Sequence, residues 1–259
     1  MMKQYFKIKE ENKDSILFFR LGDFYEMFYD DAKLASKELE LTLTGRDCGQ
    51  DERAPMCGVP FHSCEAYIAR LVAKGYKVAI CEQTEDPAKA KGLVKRDIIR
   101  VITPGTVMES SMLDESKNNY ICCMFAKNKH IGICFCDIST GELYATEISG
   151  KDSYNVLTSQ LASYNPREIL IGGDIVKLKE LPKFIKSKLS AGVEMLEDDK
   201  FDYALCKNTV SEHFIEESEN VCDSEVLVSS IGALLSYLKD TQKSGLERIY
   251  HIELYSDSQ

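Results

Sequence analysis

No run in this 259-residue chain approaches the roughly 18 uninterrupted apolar residues that a membrane-spanning helix needs, which argues against a helical membrane protein. The first dozen residues, MMKQYFKIKEEN, alternate apolar and charged positions and lack the apolar core of a secretory signal, so a cytoplasmic chain is expected. No two cysteines stand as C-x-x-C, and His62, His130, His213 and His251 are scattered, so a structural zinc site is not expected. The ten cysteines are spread over the whole length without framework spacing, which excludes a disulfide scaffold and fits a reduced compartment. Cys122, Cys123, Cys134 and Cys136 lie inside apolar runs, where a thiol serves as a small hydrophobe. At 44% hydrophobic and 29% charged residues the chain is ordinary globular protein, neither disordered nor fibrous, and its length predicts two domains.

The net charge of −10 is unevenly placed. Residues 1–110 carry 17 basic against 18 acidic side chains, whereas residues 111–259 carry 15 against 24. The acidity belongs to the second half. Within the first half, Lys89, Lys91, Lys95, Arg96 and Arg100 surround a single Asp97, a composition suited either to phosphate contacts or to a solvated loop.

The chain reads as α/β throughout. Ile16 to Leu21 is a short apolar strand ended by Gly22-Asp23. Tyr25, Phe28, Ala32, Ala35 and Leu39 recur at spacings of three and four and predict one helix. A short strand is expected at Leu41 to Thr44, a loop at GRDCGQDERAP, a helix over Ser63 to Lys74, and strands at Tyr76 to Cys81 and Ile98 to Ile102. The polar stretch from Val107 to Asn119 marks a domain boundary. Beyond it, Tyr120 to Ala126, Ile131 to Ile138 and Glu142 to Ile148 form an antiparallel meander. Helices over Asp152 to Tyr164, Ile175 to Ser187 and Ser224 to Leu238 alternate with strands at Glu168 to Ile171 and Val193 to Leu196, the order of a ribonuclease-H-like domain.

Gly22-Asp23-Phe24-Tyr25-Glu26-Met27-Phe28 carries two readings. In one, Asp23 caps the helix, Glu26 reaches back to close a capping box, and Phe24 is a core aromatic. In the other, the backbone opens beside Gly22, and Phe24 and Glu26 address one ligand, because residues two apart share a side only in extended chain. A ring beside a carboxyl group would suit a DNA minor groove, wedging into the stack and hydrogen-bonding a displaced base.

These residues resemble the N-terminal part of the MutS mismatch-recognition family. The resemblance rests on the Phe-x-Glu motif at Phe24 and Glu26, on Met56-Cys57-Gly58-Val59-Pro60-Phe61-His62, on Val78-Ala79-Ile80-Cys81-Glu82-Gln83 and on Thr103-Pro104-Gly105-Thr106, and it strengthens again at Lys239-Asp240-Thr241-Gln242. Cys57 and Phe61 replace the family's commoner Ala and Tyr. The resemblance implies a mismatch-binding domain at residues 1–110, a connector domain at 118–240, and a truncated start of the lever and core region at 241–259. It implies that Phe24 stacks on a mispaired base and Glu26 hydrogen-bonds to it, that a second subunit joins through domains beyond this chain, and that MutL docks on the connector. Arg46, Arg53, Lys95, Arg96 and Arg100 are candidate DNA backbone contacts. No G-x-x-x-x-G-K-[ST] loop occurs, so ATP and Mg are expected only in the full-length protein, with no cofactor and no catalysis in this chain.

Two other functions compete. A ribonuclease-H-like fold can hold metal-binding carboxylates, and Asp137 and Glu142 flank the turn between the second and third strands of the meander, although such an Asp more commonly hydrogen-bonds its own turn. The acidic second half could alternatively make the chain a protein-interaction module alone.

Overall fold

The computed structural model describes residues 1–49 and 51–256, which divide into two compact units between Thr103 and Pro104. That division lies upstream of the polar stretch from Val107 to Asn119. The first unit contains α1 (Met2–Glu11), β1 (Ser15–Leu21), β2 (Phe24–Phe28), α2 (Tyr29–Leu39), β3 (Thr44–Arg46), β4 (Ala54–Pro60), α3 (Cys64–Ala73), β5 (Lys77–Gln83) and β6 (Arg96–Ile102). Its sheet runs β3-β4-β2-β1-β5-β6, with β1 and β5 parallel and every other pairing antiparallel.

Alternation along the strands divides this sheet into two buried faces. Leu17, Phe19, Phe28, Ala79 and Cys81 pack with Tyr5 and Ile8 of α1. Residues one step out of phase, among them Phe18, Tyr25, Met27 and Cys57, turn to the opposite side, where the Cys57 thiol meets the Ala32 carbonyl of α2 at 3.5 Å. Asp31 ties the layers together. Its carboxylate accepts the Leu17 N–H at 2.9 Å, where β1 has run past its pairing with β2, and the Lys9 ammonium of α1 at 3.0 Å.

The sequence pattern misassigned several segments of the first unit. The apolar stripe from Tyr25 to Leu39 is not one helix: Phe24–Phe28 is a strand, and α2 begins at Tyr29, whose φ of 52° breaks the path between them. The short strand lies at Thr44–Arg46 rather than at Leu41 to Thr44, and the flanks of the expected loop pair as β3 and β4.

The second unit contains β7 (Ile121–Lys127), β8 (His130–Asp137), β9 (Glu142–Ile148), α4 (Ser153–Tyr164), β10 (Glu168–Gly173), α5 (Leu181–Lys188), β11 (Gly192–Met195), α6 (Tyr203–His213), α7 (Ser218–Cys222), α8 (Glu225–Gln242) and β12 (Glu253–Leu254). Its sheet order is β11-β10-β7-β8-β9-β12; an antiparallel meander is continued by parallel β10 and β11, giving the ribonuclease-H-like arrangement. One face, with Ile121, Cys123, Cys134 and Leu170, packs against α6 and α8; the other, with Cys122, Met124, Ile133 and Phe135, packs against α4 and α5. The expected helix over Ile175 to Ser187 is interrupted. A single turn at Asp174–Lys177 stops at Leu178, and α5 starts afresh with Pro182 in its first turn, where its missing N–H costs nothing. Glu168, buried, accepts the Gly105 N–H at 3.1 Å and the Tyr237 hydroxyl at 2.5 Å, which ties Gly105 to β10 and α8 within this unit.

All ten cysteines are free. Burial pushes the Cys57 and Cys206 thiols up to about 11 and the Cys81 and Cys134 thiols up to about 12, and holds those of Cys122, Cys123 and Cys136 well above their ordinary value. Because the thiolate is the nucleophile, native protein at pH 8 is expected to react with iodoacetamide at half-buried Cys48 and Cys222, more slowly at Cys64, and at the other seven only after unfolding. Peptide mass spectrometry reads this directly, and rapid native labelling of Cys123 would contradict the packing described. Each unit also has its own core, so residues 1–103 and 104–259 made separately should each melt cooperatively by circular dichroism. Loss of cooperativity in either piece would show that its core is incomplete.

Candidate nucleic-acid interface

Gly22 and Asp23 form a two-residue turn, since Leu21 of β1 pairs with Phe24 of β2 across it. Gly22 has φ +58° at the first turn position, where a tight hairpin favours a residue without Cβ. This overturns the capping reading. Asp23 lies in the turn, its carbonyl accepting the Phe61 N–H at 2.9 Å, and the residue at the α2 N-cap is Phe28, with no side-chain cap. Strand geometry then places Phe24 and Glu26 on one face and Tyr25 and Met27 on the other. The two faces fare differently. Tyr25 is 6% exposed and Met27 fully buried, whereas Phe24 keeps 47% of its surface in solvent.

The neighbouring strand leaves room for the pair. Gly58 of β4 stands opposite Glu26, and a Cβ there would lie 3.3 Å from the Tyr25 carbonyl, 3.5 Å from Glu26 Cγ and 3.7 Å from Phe24 Cδ1. From β3, Arg46 Nη1 donates to Glu26 Oε2 at 2.6 Å, with the Arg46 side chain 38% and the Glu26 side chain 14% exposed. The opposite face is clamped. The Tyr25 hydroxyl and Arg20 Nη1 both donate to Glu82 Oε1, and the Arg20 guanidinium lies 3.6 Å from the centre of the Phe61 ring. Burial, then the hydrogen bond to Glu82, raises the Tyr25 pKa and keeps its hydroxyl a donor. The hairpin tip that carries Phe24 is therefore gripped through Tyr25 and Arg20.

The five basic candidates do not form one patch. Arg46 lies on the Phe24 face beside Glu26. Arg53 is exposed, its Cβ against Gly45. Lys95 is exposed and pairs with Asp97 at 3.3 Å. Arg100 sits opposite Ile80, in phase with Phe18 and Tyr25, and so projects from the other face of the sheet. Arg96 is corrected as a phosphate contact: it is 6% exposed, donating to the Arg20 carbonyl, Gln4 and the Val94 carbonyl at 2.8 to 3.1 Å, with Phe19 beneath it at 4.9 Å. Desolvation lowers its pKa, and its guanidinium is spent on the fold. Sequence reasoning missed the supporting roles of Gly58, Glu82 and Arg20. The first two lie within the Met56 to His62 and Val78 to Gln83 segments already noted, whose physical meaning only the register reveals.

In the second unit Asp137 is 1% exposed, accepting the Ser139 N–H and hydroxyl at 3.0 and 2.6 Å and the Asn119 N–H at 3.1 Å. Glu142 accepts from Asn118 and Thr140. Both carboxylates serve the turn, and among the described residues no group of three or more His, Cys, Asp or Glu is placed to hold a metal ion.

Fold and site together define a two-domain α/β protein that presents an aromatic ring beside a carboxylate towards the exposed end of an interior strand. The family model for MutS domain I matches residues 1–111 and that for MutS domain II residues 119–253, and the chain belongs to the MutS family. It is 50% identical over 256 residues to the DNA mismatch repair protein MutS of Ruminiclostridium cellulolyticum, covering 99% of this chain and 29% of that protein. It is likewise 50% identical over 257 residues to that of Acetivibrio thermocellus, covering 98% and 29%, and 50% identical over 250 residues to that of Clostridium tetani, covering 96% and 27%. The chain thus spans under a third of the length of these relatives.

The exposure of Phe24 separates the two readings of the motif by stability. Phe24→Ala is expected to cost less than about 1 kcal/mol, as at a surface position. Phe28→Ala, four residues on and fully buried, should cost about 3–5 kcal/mol. Urea denaturation of both variants measures the contrast, and equal losses would place Phe24 in the core.

Proposed function

We propose that this chain recognises mispaired bases in double-stranded DNA, with Phe24 stacking on and Glu26 hydrogen-bonding to the displaced base. The observation that carries the reading is the exposed Phe24 ring two residues from Glu26 on one strand face, supported by a hairpin clamped from behind. Such a wedge reads deformability, because a mismatch is unstacked and kinked at lower cost than a paired step. Stacking on an aromatic contributes about 1–3 kcal/mol per base, enough for discrimination and too little for tight binding. Arg46, Arg53 and Lys95 supply backbone contacts. Arg100, on the far face, is a weaker candidate.

The relatives are named as mismatch repair proteins, and the present chain corresponds to their first two domains. In this reading a second subunit joins through further domains, MutL docks on the second unit, and ATP with Mg is handled outside these two domains. The setting is cytoplasmic; among the described residues no helix is long and apolar enough to cross a membrane.

The test is anisotropy with mismatched and paired duplexes at one fixed salt concentration. The 259 residues alone should bind weakly and with little preference, lacking the rest of the family's apparatus. In the full-length protein Phe24→Ala should abolish preference for the mismatch without moving the melting temperature of this domain, and Glu26→Ala should retain or raise affinity for paired DNA. A Phe24→Ala protein that still selects mismatches would remove the wedge.

A further inference from the structure

We infer that Arg46 is a specificity-determining residue whose task is to neutralise Glu26 until a displaced base offers that carboxylate another donor. The inference rests on the mismatch-reading function proposed above and assigns its electrostatic control. A carboxylate on a DNA-facing surface repels every phosphate that approaches, paired or mispaired. Glu26 is kept at 14% side-chain exposure by its neighbours, and the described donor to its Oε2 is Arg46 Nη1 at 2.6 Å.

Three features make the pair a device rather than a chance surface contact. The two residues come from different strands, β2 and β3, and meet across the intervening β4, on which Glu26 faces Gly58 and Arg46 faces Ala54. Arg46 spends one N–H on Glu26, while the rest of its guanidinium has no hydrogen bond to the described residues and remains available to a phosphate. Finally, Phe24 lies on the same face at the tip of the hairpin, so a base displaced by the ring arrives beside the Glu26 carboxylate. On a paired duplex the Arg46–Glu26 pair stays closed and the surface is locally neutral. On a mispaired duplex the base donates to Glu26, and Arg46 turns to the backbone. The exchange replaces the Arg46–Glu26 contact by one from the base to Glu26 and one from Arg46 to phosphate, so selectivity arises from which duplex can supply the replacement donor.

A simple phosphate-binding arginine makes a different prediction, and a double-mutant cycle separates them. The 259-residue chain is titrated with paired duplex at low ionic strength, where weak binding is measurable. Arg46→Met, which leaves the Glu26 charge facing DNA, should weaken binding by roughly tenfold or more. In a Glu26→Gln background the same change should weaken it by no more than about twofold to threefold, the loss of one phosphate contact. Arg46→Lys keeps the charge and should stay within about threefold of the parent; Arg46→Gln, with melting curves for all variants, guards against a folding defect. Equal losses from Arg46→Met in both backgrounds would overturn the inference and leave Arg46 an ordinary backbone contact. Unmeasurable binding of the parent chain even at low salt would overturn it too, by showing that phosphates do not approach Glu26. Failure of the mismatch reading is seen elsewhere, as an unchanged mismatched-to-paired ratio in full-length Phe24→Ala and Glu26→Gln.

Discussion

The period of two along β2 is the constraint from which the first unit's site follows. Five residues, Phe24 to Phe28, divide between two faces, one buried under α2 and the other buried at Phe28 under α1 but open towards the hairpin end at Phe24. The extended backbone assigns them alternately, so Tyr25 and Met27 enter the core beside α2 while Phe24 and Glu26 emerge together. Had these residues been helical, Phe24 and Glu26 would project about 200° apart and share no ligand. The hairpin turn at Gly22-Asp23 fixes the register, and a slip of one residue would send Phe24 and Glu26 to the face now held by Tyr25 and Met27.

Electrostatics in this unit is organised by pairing rather than by a uniform field. Its basic and acidic side chains almost balance, and several candidate cations are already engaged: Arg46 with Glu26, Lys95 with Asp97, and Arg96 inside the fold. Arg96 shows why a linear cluster of cations is a poor guide to a binding patch. It sits on β6 in the phase that turns under α1, where Gln4 and backbone carbonyls satisfy its donors. Arg100, four residues on and across an irregularity in the β5–β6 pairing, turns to the opposite face.

The second unit uses its buried polar groups for construction. Asp137 closes the β8–β9 turn and holds the Asn119 N–H, and Glu168 joins the Gly105 backbone to Tyr237 on α8. Each buried carboxylate has its hydrogen bonds made, as burial of a charge requires. Cysteines take the place of small aliphatic residues on both faces of the sheet, and raised thiol pKa values are the electrostatic expression of the same dry packing.

The linear order of residues by itself determined the α/β class, the meander of the second unit, most strands and helices, and the identity of Phe24 and Glu26 as the pair worth testing. These rest on local signals: apolar runs, turn residues and short motifs, each legible within a dozen positions. It did not determine that β2 is a strand, because Tyr25 and Phe28 happen to continue the three-and-four spacing of α2 across a junction with no linker. The strand exists because β1 and β4 flank it with backbone partners, which no local pattern records. The same holds for Arg46 meeting Glu26 across β4, for Glu82 gripping Tyr25 and Arg20, and for Arg96 turning inward. Such contacts join residues distant along the chain, so only the register of the folded sheet decides them.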